Sequence, residues 1–404
     1  MLEYSGKYNP AKIFTDNVEE SAVAQIIELC NQLFVVNSKI RIMPDVHAGK
    51  GCVIGTTMTL PNKEVCSNLV GVDISCGLET IKLTNYSPDF EALDKAIREN
   101  VPAGFNVRSN IHKFSKTICL EDLRCFKSLN KIDRIKLSVG TLGGGNHFIE
   151  MNTDRSKNYY LVVHSGSRNL GTQIAKHYQD LACDVVRRAL LNRQDEKLAE
   201  LKRQLIAQGR ELDISQAFAD FKKENTQVPP KHLACLIGDN FDDYINDMEI
   251  AQQYALMNRK AIIDVIVTAL GLEVAESFTT IHNYIDTKSM ILRKGAISAE
   301  LGEKVLIPLN MRDGSLICIG KGNSDWNYSA PHGAGRTMSR SKAKKVIKLE
   351  DYEEVMEGIY STSVGKHTLD EAPFAYKDKW EIISNIHDTV DVVEHIKSVF
   401  NFKV

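Results

Sequence analysis

The sequence predicts an α+β fold: a single compact domain spanning 1–404, with a β-sheet core and a helical insertion at roughly 180–265. Three observations carry this. Residues 1–180 are rich in glycine and short β-branched runs, the pattern of strands separated by tight turns. From about Tyr178 to Ile263 the chain turns highly charged, with Leu, Ile and Ala at helical spacing. From Phe278 the strand character returns in FTTIHNYI, KVLIPLN and SLICIG. Within the helical block a break falls at Pro229-Pro230. The stretch after it places Ile245, Met248, Tyr254 and Met257 on one apolar face.

Composition narrows the function class. With 404 residues, 43% hydrophobic and 25% charged, the chain can bury a large core. No run approaches the roughly 18 apolar residues of a membrane span, and MLEYSGKYNPAKIF lacks a secretory layout, so a cytoplasmic protein is expected. Nine irregularly spaced cysteines argue for reduced thiols over a disulfide framework. A net charge of −2 gives no global nucleic-acid signature, so any RNA site must be a local patch.

Five potential metal ligands stand at the ends of strand-like, glycine-flanked runs: Asp73 and Cys76 in LVGVDISCGL, His147 in LGGGNHFIE, His164 in YYLVVHSGSRNLG and His282 in FTTIHNYI. A carboxylate, a thiolate and three imidazoles suit a divalent transition metal such as Mn²⁺ or Zn²⁺. Five exceed one tetrahedral site, and a thiolate can bridge, which favours two ions of the kind used in phosphoryl transfer. Taken singly, each histidine reads better as a satisfied core residue and Cys76 as buried apolar filler, and spacing does not establish convergence.

A second candidate is His332 in PHGAGR, where Gly333, Ala334 and Gly335 leave backbone N–H groups free for phosphate oxygens. Arg336 beside it could neutralise a polyanion, whereas Lys342 to Lys348 read equally as a solvated helix face. MPDVHAGKGCVIG, with Asp45 and His47, is not a P-loop, and GTLGGGNH lacks the surroundings of a dinucleotide fingerprint.

Taken in order, MPDVHAGKG, GVDISCGL, LGGGNHFIE, VVHSGSRNLG, IHNYI, GKGN, HGAGRTMSR and LDEAPFAYKD resemble the RtcB family of RNA ligases across nearly the whole chain. The resemblance implies a GTP-dependent enzyme joining an RNA 3′-phosphate or 2′,3′-cyclic phosphate end to a 5′-hydroxyl end, in RNA repair or tRNA splicing. It implies two Mn²⁺ ions, one held by Asp73, Cys76 and His147 and the other by Cys76, His164 and His282. It makes His332 the residue that becomes guanylylated, with Asn146 and Arg168 in the catalytic site and Arg168 facing RNA or another oxyanion. Guanylate contacts would come from Asn146, His147, Phe148, Ile149 and Glu150, from His282-Asn283, and from His332 through Gly335. Asp45, His47 and Arg336 are assigned to the site region only.

Two departures stand out. The family's Pro-Gly-Ser-Met guanylate loop is here Pro308-Leu309-Asn310-Met311, with Ser315 still aligned, so Leu309 removes a glycine's freedom. The usual terminal Lys-Gly is Lys403-Val404, and Lys403 reads either as a nucleotide contact or as a solvated end residue. The alternatives are a dinuclear phosphohydrolase that has no use for His332, and a silent RNA-binding protein. The need for an activating protein and the oligomeric state are not legible in the sequence.

Overall fold

The computed structural model describes residues 1–84, 86–224 and 230–404. Its strands form three sheets. A six-stranded sheet runs β1 (Leu2–Ser5), β2 (Pro10–Ile13), β3 (Ile40–His47), β4 (Ile54–Thr59), β10 (Ile291–Lys294), β9 (Tyr284–Asp286). A seven-stranded sheet runs β12 (Lys304–Asn310), β13 (Gly314–Gly320), β15 (Val390–Phe402), β6 (Phe148–Thr153), β7 (Tyr159–Ser165), β5 (Gly77–Thr84), β8 (Glu273–Ile281). Between them β11 (Ala296–Ser298) pairs with β14 (Ser329–Pro331). Sequentially remote strands are thus neighbours, and among these strands β2 and β3 alone pair in parallel.

The apolar run in β7 is continuous because both faces are covered. Leu161 and Val163 pack with Ile81, Ile149 and Phe400, while Tyr160 and Val162 pack with Leu78, Leu306 and Ile396. A strand buried on two sides has no solvent face to make polar, so it loses the period-2 alternation. In β6 the alternation survives: Ile149 and Met151 enter the core, and Phe148 and Glu150 face a cavity.

The helices in the charged block are Arg168–Ala207, Ile214–Glu224 and Asp239–Leu270. The first begins at the SGSR segment, earlier than 180, and the last runs beyond 265. Pro229 of the expected break lies outside the described residues, while Pro230 precedes the short turn Lys231–Leu233. Met248 and Tyr254 are buried, with Ile245 and Met257 packed against the same cluster, as the spacing predicts. Farther along, Ile262, Ile263 and Ile266 pack under the seven-stranded sheet. Each such side chain contributes on the order of 1.5–3 kcal/mol by burial. That helix ends at Gly271, whose φ of 61° permits the left-handed cap that an L-residue resists.

All nine cysteines are free. Among the described residues no helix is long and apolar enough to cross a membrane.

Candidate active site

Strand register explains how the five ligands meet. Cys76 precedes β5, His147 precedes β6, His164 lies near the end of β7, and His282 follows β8. These are consecutive neighbours, with Phe148 and Leu78 both opposite His164 and Gly77 opposite Ile281. One end of these four strands therefore presents all four side chains. Asp73 comes from the preceding loop, where its Oδ1 accepts hydrogen bonds from the Ser167 backbone at 3.0 Å and its hydroxyl at 3.3 Å. A Cβ on Gly166 would collide with that Oδ1, so glycine is what lets the carboxylate in.

The result is two groups sharing Cys76: Asp73, Cys76 and His147, and Cys76, His164 and His282, each with ligand atoms within 4.8 Å of one another. Cys76 Sγ lies 3.3 Å from His147 Nε2 and 3.2 Å from His164 Nε2. The far nitrogens are committed: His147 Nδ1 donates to the Leu142 carbonyl at 2.8 Å, and His164 Nδ1 to the Asn146 carbonyl at 3.1 Å. Such backing fixes the tautomer that leaves Nε2 free to ligate. His282 Nδ1 is buried with no hydrogen-bond partner, an unsatisfied position that a cation would explain.

Charge states agree with a metal site. Burial drives His164 and His282 well below the ordinary histidine range, so both imidazoles are neutral. Burial opposes ionisation of Asp73, but a proton on His147 Nε2, in the place a cation would take, outweighs it by hydrogen bond and charge and holds the carboxyl down to about 2. The Cys76 thiol is pushed well up by burial and by Asp73. A bound cation reverses that balance, because a coordinating thiol loses its proton. The residues present fit two divalent ions sharing one sulfur.

His332 stands next in line. Its ring centroid is 4.8 Å from that of His282, which lies 5.3 Å from His164. Its Nδ1 meets Asp45 Oδ2 at 2.6 Å, and Asp45 is fully buried in β3. With Nδ1 donating to the carboxylate, Nε2 keeps its lone pair, the pairing that orients a nucleophilic or basic histidine. Asp45 comes from the six-stranded sheet and His332 from the loop after β14, so the pair bridges two sheets. The turn at Gly335 (φ 75°) allows this approach, since a Cβ there would collide with the Asp45 carbonyl oxygen. His47 lies alongside, with Nδ1 2.9 Å from the same carbonyl.

Beyond His332 opens the cavity, which His47, Asn146, Phe148, Glu150, Asn283 and Lys403 help to line. Pro308, Leu309, Asn310 and Met311 form another wall, and His332 through Arg336 a third. Leu309 also packs into a core cluster, and Asn310 Oδ1 accepts from the Arg312 and Asp313 backbones at 3.0 and 2.8 Å. The departure from glycine thus gives a braced wall. Burial, partly offset by Ser398, Asn152 and Asn401, raises the Glu150 carboxyl to about 7.

Lys403 is no solvated end. It is 5% exposed, tied through its backbone to Ser363 at 2.8 Å, and its ammonium meets Glu371. Glu371 also accepts from the Tyr376 hydroxyl at 2.7 Å and from Arg340, with Arg336 3.6 Å away. Burial opposes its charge, but Lys403 and Arg340 overcome this and hold it at about 2. Since the folded value lies below the unfolded 4.5, the stabilisation is complete above the unfolded value and is lost as pH falls through about 2. Glu371→Gln should therefore cost about 3 kcal/mol near neutral pH. In urea denaturation the gap from wild type should narrow as pH falls from about 5 towards about 2; a gap independent of pH would contradict this.

Several expected residues lie elsewhere. Ile149 is in the core, and Ser315 is fully buried opposite Pro308 with its hydroxyl unpartnered. Arg168 does not line the cavity: Nε reaches Thr141 Oγ1 and Nη2 the Gly104 carbonyl, each at 3.1 Å, on the Asp73 side. Sequence reasoning gave Glu371 no role, although it lies in the quoted segment LDEAPFAYKD. It also missed Arg259, a fully buried guanidinium holding the Ser75 and Ser165 carbonyls behind Cys76 at 2.8 and 3.1 Å. A guanidinium in helical register with Ala255, Ile262, Ile263 and Ile266 was the available signal.

Fold and site together define a protein with a candidate two-ion centre at the ends of four neighbouring strands and a carboxylate-oriented histidine beside it. The chain belongs to the RtcB family: the profile described as "tRNA-splicing ligase RtcB" matches residues 25–130 and 119–404. The "RNA-splicing ligase RtcB" of Escherichia coli (strain K12) is 29% identical over 433 residues, covering 96% of each chain. The "tRNA-splicing ligase RtcB" of Aeropyrum pernix is 27% identical, covering 83% of this chain and 82% of its own. That of Nanoarchaeum equitans is 27% identical, over 86% and 84%.

Proposed function

We propose that this protein is a GTP-dependent RNA ligase that joins 3′-phosphate or 2′,3′-cyclic phosphate ends to 5′-hydroxyl ends. The observation that carries the reading is His332, held through Nδ1 by buried Asp45 and standing beside the shared-thiol cluster. A hydrolase needs the cluster but has no role for this pair.

Asp73, Cys76 and His147 would hold one Mn²⁺, and Cys76, His164 and His282 the second. Bound there, the ions supply charge neutralisation and Lewis acidity for phosphoryl transfer. His332 Nε2 attacks the α-phosphorus of GTP, forming an N–P bond as pyrophosphate leaves. The RNA 3′-phosphate then takes GMP from the histidine as the N–P bond breaks, and the 5′-hydroxyl oxygen attacks the RNA phosphorus as its bond to GMP breaks, the hydroxyl proton passing to water. Asp45 keeps the Nδ1 proton in place throughout and stabilises the imidazole as charge develops. A cyclic phosphate end must first be opened by water to the 3′-phosphate. Glu150 and Lys403 line the cavity where the guanylate would sit, and the Glu150 oxygen without a hydrogen-bond partner offers an acceptor to the N–H edge of guanine. We assign the protein to RNA repair or tRNA processing in the cytoplasm.

The test is incubation with Mn²⁺ and α-labelled GTP, followed by denaturing electrophoresis and intact mass. A guanylate adduct absent from His332→Ala, with joining of 3′-phosphate and 5′-hydroxyl RNA strands, is the expected result. Folded, metal-loaded protein that opens cyclic phosphates but forms no adduct would favour the phosphohydrolase. Better adduct formation with ATP would overturn the nucleotide assignment.

A further inference from the structure

Among the exposed apolar side chains, Phe105 differs in its setting. Its ring is 94% exposed. A scattered surface hydrophobe needs no explanation on its own. Here, however, the backbone beneath the ring is tied on several sides. The Phe105 carbonyl accepts from Arg134, and the Gly104 carbonyl from Arg168 at 3.1 Å. The Gly104 N–H donates to the Gly143 carbonyl at 2.8 Å, and the Asn106 N–H to the Ala103 carbonyl at 3.2 Å. A rigid loop thus holds an aromatic face in water with two guanidinium groups at its foot.

The loop also lies within reach of the reaction centre. A Cβ on Gly143 would overlap the Arg168 guanidinium and stand 2.8 Å from His147 Nδ1. Phe105 thus follows Gly104, which is hydrogen-bonded to Gly143 and stands beside Val404, and Gly143 in turn packs against the Arg168 guanidinium and the candidate metal ligand His147. Aromatic rings beside arginines are the ordinary means of holding an unpaired base and its phosphate, tolerant of sequence because every base has a π-face.

We propose that Phe105 is a stacking platform for the nucleobase at one of the two RNA ends being joined, with Arg134 and Arg168 facing the adjoining phosphate. The assignment rests on the RNA-ligase reading and adds a specificity-determining contact with an unpaired terminal nucleotide. It makes joining prefer ends whose last base is free to leave a helix.

The test compares wild type, Phe105→Ala and Phe105→Trp in the full chain. Guanylate adduct formation, which needs no RNA, should be equal in all three. KM for RNA should rise about 10-fold in Phe105→Ala, with kcat little changed, and Phe105→Trp should restore it. Removing the base from the terminal nucleotide of the 3′-phosphate strand, or of the 5′-hydroxyl strand, should impair wild type with one strand only and leave Phe105→Ala unaffected. That arm identifies the end. In a separate readout without GTP, the indole emission added by Phe105→Trp, taken as the difference from wild type, should be quenched by 3′-phosphorylated or 5′-hydroxyl RNA. An unchanged KM in Phe105→Ala, or an abasic penalty equally large in it, would overturn the platform while leaving the ligase intact. Quenching in a protein that neither forms an adduct nor ligates would keep the platform and sink the ligase.

Discussion

Asp45→Asn is expected to slow guanylate adduct formation by about 10²- to 10⁴-fold while leaving the fold and the metal content unchanged. The carboxylate is fully buried, and one of its oxygens lies 2.6 Å from His332 Nδ1. An asparagine of the same shape can offer an N–H where the carboxylate accepted one. That would place the histidine proton on Nε2, the nitrogen that must attack. Asp45 Oδ1 has no hydrogen-bond partner, so nothing else at that position compensates. Single-turnover labelling with excess GTP isolates this step, and circular dichroism checks folding. A wild-type rate in the variant would mean that the histidine is oriented by something else, and the nucleophile assignment would lose its main support.

The second large effect is expected at Cys76. Because the sulfur belongs to both ligand groups, Cys76→Ala should weaken both ions together, whereas His147→Ala touches only the set with Asp73. Metal analysis after dialysis against Mn²⁺ should find two ions per wild-type chain, about one in His147→Ala, and well under one in Cys76→Ala. Adduct formation and ligation should fall to background in Cys76→Ala. Two ions retained there would refute the shared-sulfur arrangement. Chelation of the wild type should reproduce the loss of activity, and Mn²⁺ should restore it; restoration by Zn²⁺ to the same level would overturn the choice of metal.

The ligands were legible as a set because all five stand at ends of apolar runs, and the register of β6, β7, β5 and β8 turns that shared position into proximity. Sequence could not supply the strand order, which places β15 between β13 and β6 and so brings Lys403 to the cavity from the far end of the chain. For the same reason Asp45 had no role until a partner 287 residues away was in place. Ile149 shows the opposite limit. A matching segment assigns five consecutive residues to the nucleotide, but a strand presents only alternate ones, and Ile149 belongs to the core. The helical block was recognisable by period, yet its inner helix is also the support on which the sheet and Arg259 rest.

The place of β15 has a consequence for biosynthesis. It follows every other described strand in chain order, yet it sits inside its sheet, pairing with β13 on one side and β6 on the other. Before residue 402 has emerged from the ribosome, the sheet exists only as two separate ribbons, each with an unpaired edge. Open edges invite pairing with other chains, and contacts spanning most of the sequence are slow to close. Chains should therefore depend on holding by chaperones until β15 is in place, and this strand should act as the clasp that joins the two ribbons.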